Sequence, residues 1–297
     1  MTKTTPERSH PLDHLVLPTA DLAVARARLT ALGFTVAPRG VHPFGTDNCC
    51  VYFSDGTFME PLAIADAGTA AEAIAAGNTF VARDRAYRDR LGEEGFSAVV
   101  FGTGNADADH ARYVEAGISA GNRLYFSRPF VDAAGNSDTA SFRLAFAAAV
   151  DAPESFLFSC ERVNAPKVDR TSLQAHANGV AGMTEIVAVS SNPSAQYGLL
   201  RTAANLDSKD SAAEDTLTLA NASITVLEAA AFEKRFGISP GAPSHLRFAV
   251  VVFSVTDIAA LRKLLAANGI EPHLRGDSVM VLPAPGQGAV FVFREIA

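Results

Sequence analysis

LDHLVLPTADLAVARARLTALGF, residues 12–34, carries the pattern from which the architecture follows. Asp13–Leu17 reads as a strand whose side chains alternate between two sheet faces, Leu15 and Leu17 on one and Val16 on the other. Asp21 then stands as an N-cap before a helical pattern, and Gly33 supplies the stop. The same order returns in FSAVVFGTGNADADHARYVEAGI (96–118), with Asn105 as cap and Gly117 as stop, both 84 residues beyond Asp21 and Gly33. It returns in MTEIVAVSSNPSAQYGLLRTAANL (183–206), capped by Asn192 with Pro193 at the first helical position, where a missing N–H costs nothing. Asp257 opens the fourth copy, LRFAVVVFSVTDIAALRKLLAANGI (246–270), which closes at Gly269.

Behind each helix lie β-rich segments ending in an apolar strand with a glutamate: FMEPLAI, FLFSCERV, ITVLEAAAF and VFVFREI, bearing Glu60, Glu161, Glu228 and Glu295. A strand, a helix and three more strands, repeated four times, predict an α+β fold of four βαβββ modules in two domains. The expected boundaries are 1–165 for the first domain (modules 13–64 and 96–163), 166–180 for a polar linker, and 181–297 for the second (modules 181–231 and 246–297). Ala65–Gly95 reads as an amphipathic insertion whose arginines form a solvated face.

At 297 residues, 48% hydrophobic and 19% charged, the chain can bury two cores. No apolar run reaches the ~20 residues of a membrane span, and the polar start MTKTTPERSH lacks the order of a secretory signal, so a cytoplasmic location is expected. Cys49, Cys50 and Cys160 have no metal-finger spacing and read as reduced core residues. A net charge of -7 opposes a nucleic-acid partner, because phosphate binding needs clustered Lys and Arg. A small-molecule ligand is the expected partner, and homodimerisation is left open. There is no P-loop, GTGNAD lacks the third glycine of a dinucleotide fingerprint, and no G-x-S-x-G elbow marks a serine hydrolase.

The repeat and the run HPFGTDNCCVYFSDGTFME (42–60) resemble the vicinal oxygen chelate superfamily, in its glyoxalase-like branch. The resemblance implies two modules curling their sheets into a cleft, with metal ligands on the first and last strands of each. Carried over by position, it implies His14 and Glu60 as ligands in module one. In module two the first-strand place falls on Ala98, which cannot ligate, and the last-strand place on Glu161. A divalent ion such as Zn, Mn, Co or Ni would suit one imidazole and two carboxylates. Glu161, the less firmly placed ligand, is the expected catalytic base. His42, Thr46 and Asn48 form a polar turn read equally as substrate contacts or as a self-capping loop.

Glu185, Glu228, Val250 and Glu295 occupy the corresponding places of the second domain, a poor transition-metal set that reads as structural. The expected function is a metal-dependent isomerase or lyase acting on a small organic substrate. The alternative is a non-catalytic sequestering protein of the bleomycin-resistance kind. An extradiol dioxygenase would need a second histidine, His42 or His176, in the same cleft.

Overall fold

The computed structural model describes residues 9–131, 137–150, 152, 155–166, 169–206, 216–241 and 245–296. Most of the polar start, together with Lys167 and Val168 of the expected linker, lies outside them. Module one comprises β1 (Leu12–Pro18), α1 (Leu22–Ala31), β2 (Gly40–Val41), β3 (Thr46–Asn48), β4 (Val51–Tyr52) and β5 (Phe58–Ile64). The insertion forms α2 (Ala67–Ala75) and α3 (Thr79–Leu91). Module two is β6 (Ala98–Thr103), α4 (Ala106–Glu115), β7 (Leu124–Val131), β8 (Ser137–Ala147) and β9 (Phe156–Asn164).

Module three has β10 (Val180–Val189), α5 (Pro193–Ala203), β11 (Thr216–Thr218) and β12 (Ser223–Leu227), followed by α6 (Ala229–Phe236). Module four has β13 (Arg247–Val255), α7 (Ile258–Ala267), β14 (His273–Arg275), β15 (Ser278–Val281) and β16 (Val290–Glu295). All four helices expected from the repeat carry their caps. Asp21, Asn105, Asn192 and Asp257 each accept a backbone N–H from the first turn.

Among the described residues the strands form two sheets, ordered β2-β3-β5-β1-β6-β9-β8-β7 (β4 also pairing β5) and β11-β12-β10-β13-β16-β15-β14. Each module's first strand runs parallel to its own last strand, and the first strands of modules one and two, and of three and four, pair antiparallel. Modules therefore pair in chain order, one with two and three with four.

Strand alternation gives each sheet two apolar faces. Leu15, Leu17, Val99 and Phe101 share one core with Ile186, Ala188, Val251 and Phe253 of the other sheet, together with residues of α1, α4, α5 and α7. The intervening residues face away from this shared core into a separate cluster in each half. In the first, Val16, Ala98, Val100 and Phe158 pack with Phe80 and Val81 of α3. In the second, Val187, Val250, Val252 and Val292 pack under Phe232 and Phe236 of α6, which covers the face where a cleft would lie.

Two readings from sequence are corrected. Glu228 is not on a strand: it is the N-cap position of α6, immediately beyond β12. Arg88 does not belong to a solvated face, because it is 6% exposed and paired with Asp84 inside α3. The neighbouring Cys49 and Cys50 fall between β3 and β4, buried and free as expected.

Candidate functional site

Pairing register shows that the four glutamates are not equivalent. Glu60 on β5 lies opposite Val16, and across the sheet centre His14 pairs with Val100 and Val16 with Ala98. That antiparallel pairing relates the two modules by the offset already seen in the caps. Ala98 is therefore the counterpart of His14, as expected, but the counterpart of Glu60 is Phe158, opposite Val100. Glu161 stands three residues further along, opposite Thr103.

An odd displacement along a strand turns a side chain to the other face. Accordingly Glu161 does not reach the cleft. Its Oε2 accepts a 3.0 Å hydrogen bond from Ala106 N at the start of α4, where the helix dipole favours a negative charge. Glu295 does the same for Ile258 N at the start of α7, 3.4 Å away. In the second domain the places of His14 and Glu60 fall on Glu185 and Thr225, and Thr225 Oγ1 donates to Glu185 Oε1 at 2.7 Å. Arg235 from α6 binds both oxygens of Glu185, at 2.9 and 2.6 Å, which neutralises it as a structural pair.

In the first domain the fold brings together His14, Glu60, His42, Thr46 and Asn48. Nε2 of His14 lies 3.6 Å from Glu60 Oε2, and Nε2 of His42 lies 3.6 Å from Glu60 Oε1. Asn48 Nδ2 donates to Glu60 Oε1 at 2.6 Å. Each ring is anchored through its other nitrogen: His14 Nδ1 is 2.8 Å from Asp13 Oδ2, and His42 Nδ1 is 2.9 Å from Thr46 Oγ1. The turn 42–46 thus caps itself, with His42 N donating to Thr46 O, while it also presents His42 to the cleft. His176 stays outside, accepting from Thr35 N and lying 2.9 Å from Tyr52 O.

The surrounding cleft encloses roughly 670 Å³ of empty space including its open mouth, and most of its lining is aromatic. His42 and Phe44, beside β3, touch Phe126 of β7 at ring-centroid distances of 5.8 and 5.2 Å. Since β3 and β7 lie near opposite ends of the strand order, the sheet curls until its edges nearly meet. Arg128, Arg162 and Arg170 also line the cleft, against the single carboxylate of Glu60 among the described lining residues. Sequence reasoning missed Arg128 and Arg170, and it offered Arg162 as a partner for Glu60, whereas Arg162 pairs with Asp13. Arg128 shares the period-2 face of Phe126, a signal that becomes legible only once that face is known to line a cavity.

Burial pushes His42 down to about 4, against the attraction of the Glu60 charge, so the ring is neutral at pH 7. Burial also pushes Asp13 up, but His14 and Arg162 overcome it and hold the carboxyl below its ordinary value. The unfolded chain takes up a proton at His42 as pH falls through ~6.5, whereas the folded chain resists until about 4. Stability from this burial is complete above pH ~6.5 and is lost downward across that window. Between pH 7 and 5 the expected loss is about 2 kcal/mol. Urea unfolding at the two pH values should show this loss in the native chain and a smaller one in His42→Gln.

The thiols are similarly suppressed. Burial raises Cys49 to about 11 and pushes Cys50 and Cys160 up as well. A thiol reagent at pH 8 should label none of the three rapidly in the native chain and all three after unfolding.

The chemistry of the donor set favours a divalent ion: two imidazoles and a carboxylate, each ring oriented by a partner on its Nδ1. Their arrangement does not. The histidines approach opposite oxygens of Glu60, so the carboxylate stands between the rings instead of beside a common point, and Asn48 already occupies Oε1. Among the described residues no three His, Cys, Asp or Glu side chains gather closely enough to hold an ion. The second histidine required for a dioxygenase is present in His42, but the three donors as arranged do not fit a metal.

Paired βαβββ modules, with a cleft on one face of a curled sheet, define a protein of the vicinal oxygen chelate class. Residues 12–203 match the family described as Glyoxalase-like domain, more than half of the chain, and the chain belongs to that family. No curated protein matches the sequence. Among solved structures it is similar to a hypothetical protein from Staphylococcus aureus, with TM-score 0.64, 12% identity, and coverage of 96% of this chain and 99% of that one. A mutant of 4-hydroxymandelate synthase from Streptomyces coelicolor gives TM-score 0.60 at 10% identity, covering 97% and 93%. The Mn(II)-bound glyoxalase from Novosphingobium aromaticivorans gives 0.50 at 12%, covering 97% and 82%. At these identities the likeness shows the fold.

Proposed function

We propose that the chain is a small-molecule enzyme of the isomerase or lyase type that moves a proton at Glu60. The observation that carries this reading is a nearly buried carboxylate, 8% exposed at its side chain, set between two anchored imidazoles in an aromatic cleft. Asn48 holds Oε1 and leaves Oε2 facing His14. A substrate carbon made acidic by an adjacent carbonyl would give its proton to Oε2. In the tautomer in which Thr46 donates to its Nδ1, neutral His42 would present Nε2–H to the developing oxyanion. His14 Nε2, 3.6 Å from Oε2, can carry the proton onward, and such contacts commonly tighten when substrate enters. No step is assigned to a metal, because the donors do not converge.

The fold hosts many chemistries and does not choose among them. A sequestering protein is the second reading, favoured by the loss of donors at Ala98 and Phe158 on the module-two side of the cleft. Incubation in D2O with aldehydes, ketones and acids bearing a C–H beside a carbonyl separates the two, with exchange followed by proton NMR. Wash-in of deuterium by the native chain and not by Glu60→Gln is expected. Tight binding with no exchange would favour sequestration, and equal exchange by Glu60→Gln would remove Glu60 from the chemistry.

A further inference from the structure

Two series of contacting aromatic side chains run from the histidines to the arginines. One passes from His42 to Phe44 (centroids 5.0 Å apart), Phe126 (5.2 Å) and Phe142 (5.0 Å), where the Arg128 guanidinium lies 5.9 Å from the ring. The other passes from His14 to Phe58 (4.2 Å) and Tyr52 (5.4 Å), over which Arg170 lies at 4.5 Å. Glu60 joins the two at the histidine end.

The arginine end is differently provided. Arg162 is committed to both oxygens of Asp13, at 2.7 and 2.9 Å. Among the described residues no Asp or Glu forms an ion pair with Arg128 or Arg170. Both guanidiniums line the same cleft, Arg170 over Tyr52 and Arg128 beside Phe142. Arg170 comes from the segment linking the two sheets, which is pinned across the first domain by Gln174 Nε2 donating to Phe53 O at 3.0 Å and by His176. A Cβ at Gly40 would collide with both Asn48 and Arg128, so the glycine lets Arg128 pack against the residue that orients Glu60.

From this arrangement we infer that the ligand is an aryl carboxylate, its flat ring held between the two aromatic series and its carboxylate gripped by Arg128 and Arg170. Aromatic walls favour a ring by offset and edge-to-face contact, and two guanidiniums recognise a carboxylate by charge-assisted hydrogen bonds. The inference rests on the reading of this cleft as the working site and names its substrate class. It assigns the segment between the domains a direct part in recognition.

Calorimetric titration with phenylacetate, trans-cinnamate and 2-naphthoate, each beside its primary amide, tests it. The acids should bind at least about tenfold more tightly than the amides, and Arg128→Gln and Arg170→Gln should each lower acid affinity by about tenfold with little change for the amides. Glu60→Gln should keep the preference for acids. Amides that bind as well as acids, acid affinity unchanged in both arginine variants, or no binding by any of the six compounds would overturn the inference. A retained acid preference in a protein that exchanges no C–H would leave the arginine clamp standing and remove only the proton-transfer reading.

Discussion

Glu60→Gln is expected to slow C–H exchange by a factor of about 10²–10⁴, the usual contribution of a positioned acid-base group. Glutamine keeps the size of the side chain and an oxygen that can still accept from Asn48 Nδ2, so the local fold should survive. What it removes is the basic oxygen facing His14 Nε2. Ligand affinity should change little, because Arg128 and Arg170, and not Glu60, hold the acid group. The rate is read by proton NMR in D2O, and an unchanged thermal unfolding midpoint serves as the folding control. A rate within tenfold of the native chain would place the base elsewhere.

Arg88→Met should cost about 3–5 kcal/mol of stability, the range for leaving a buried charge without its partner. Arg88 Nε donates to Asp84 Oδ2 at 2.8 Å, Nη1 to Glu93 Oε2 at 2.6 Å, and Nη2 to Leu62 O at 2.9 Å, which ties α3 to the end of β5. Asp84 is 0% exposed, and burial pushes its carboxyl up despite Arg88. Without the guanidinium, Asp84 must protonate or drag α3 outward, and Phe80 of that helix lines the cleft. Replacing both members, as Arg88→Met with Asp84→Leu, should recover much of the loss, because apolar replacement of a buried pair is often neutral. Urea unfolding of the three proteins decides it. A single variant within 1 kcal/mol of native, or a double variant no better than the single, would show that the pair does not hold α3 in place.

The architecture was legible because its signals are local. Asp21, Asn105, Asn192 and Asp257 announce helices through their own side chains, and strand alternation needs only neighbours. Ala98 as the silent counterpart of His14 could also be read, since the offset between caps passes unchanged through the first strands.

The glutamates could not be aligned in the same way. A residue's face on a last strand depends on pairing register, which loops of unequal length conceal. Grouping Glu60 with Glu161 misassigned the latter by three residues and hence to the wrong face. Glu161 and Glu295 mark helix starts, a role that looks identical to a ligand position in a linear string. The arginines were hidden for a related reason: Arg128 and Arg170 line one cleft only because the sheet curls and the linking segment crosses it. Nor does the sequence alone reveal that Phe232 and Phe236 of α6 fill the second domain's open face.

The most direct measurement is the C–H exchange rate after exhaustive chelation, read beside an untreated sample and the Glu60→Gln variant. Proton transfer by Glu60 without a metal predicts equal rates in the first two and loss in the third. Exchange abolished by chelation and restored by stoichiometric Zn, Mn, Co or Ni would contradict it, and would mean that His14, His42 and Glu60 close around an ion during the reaction.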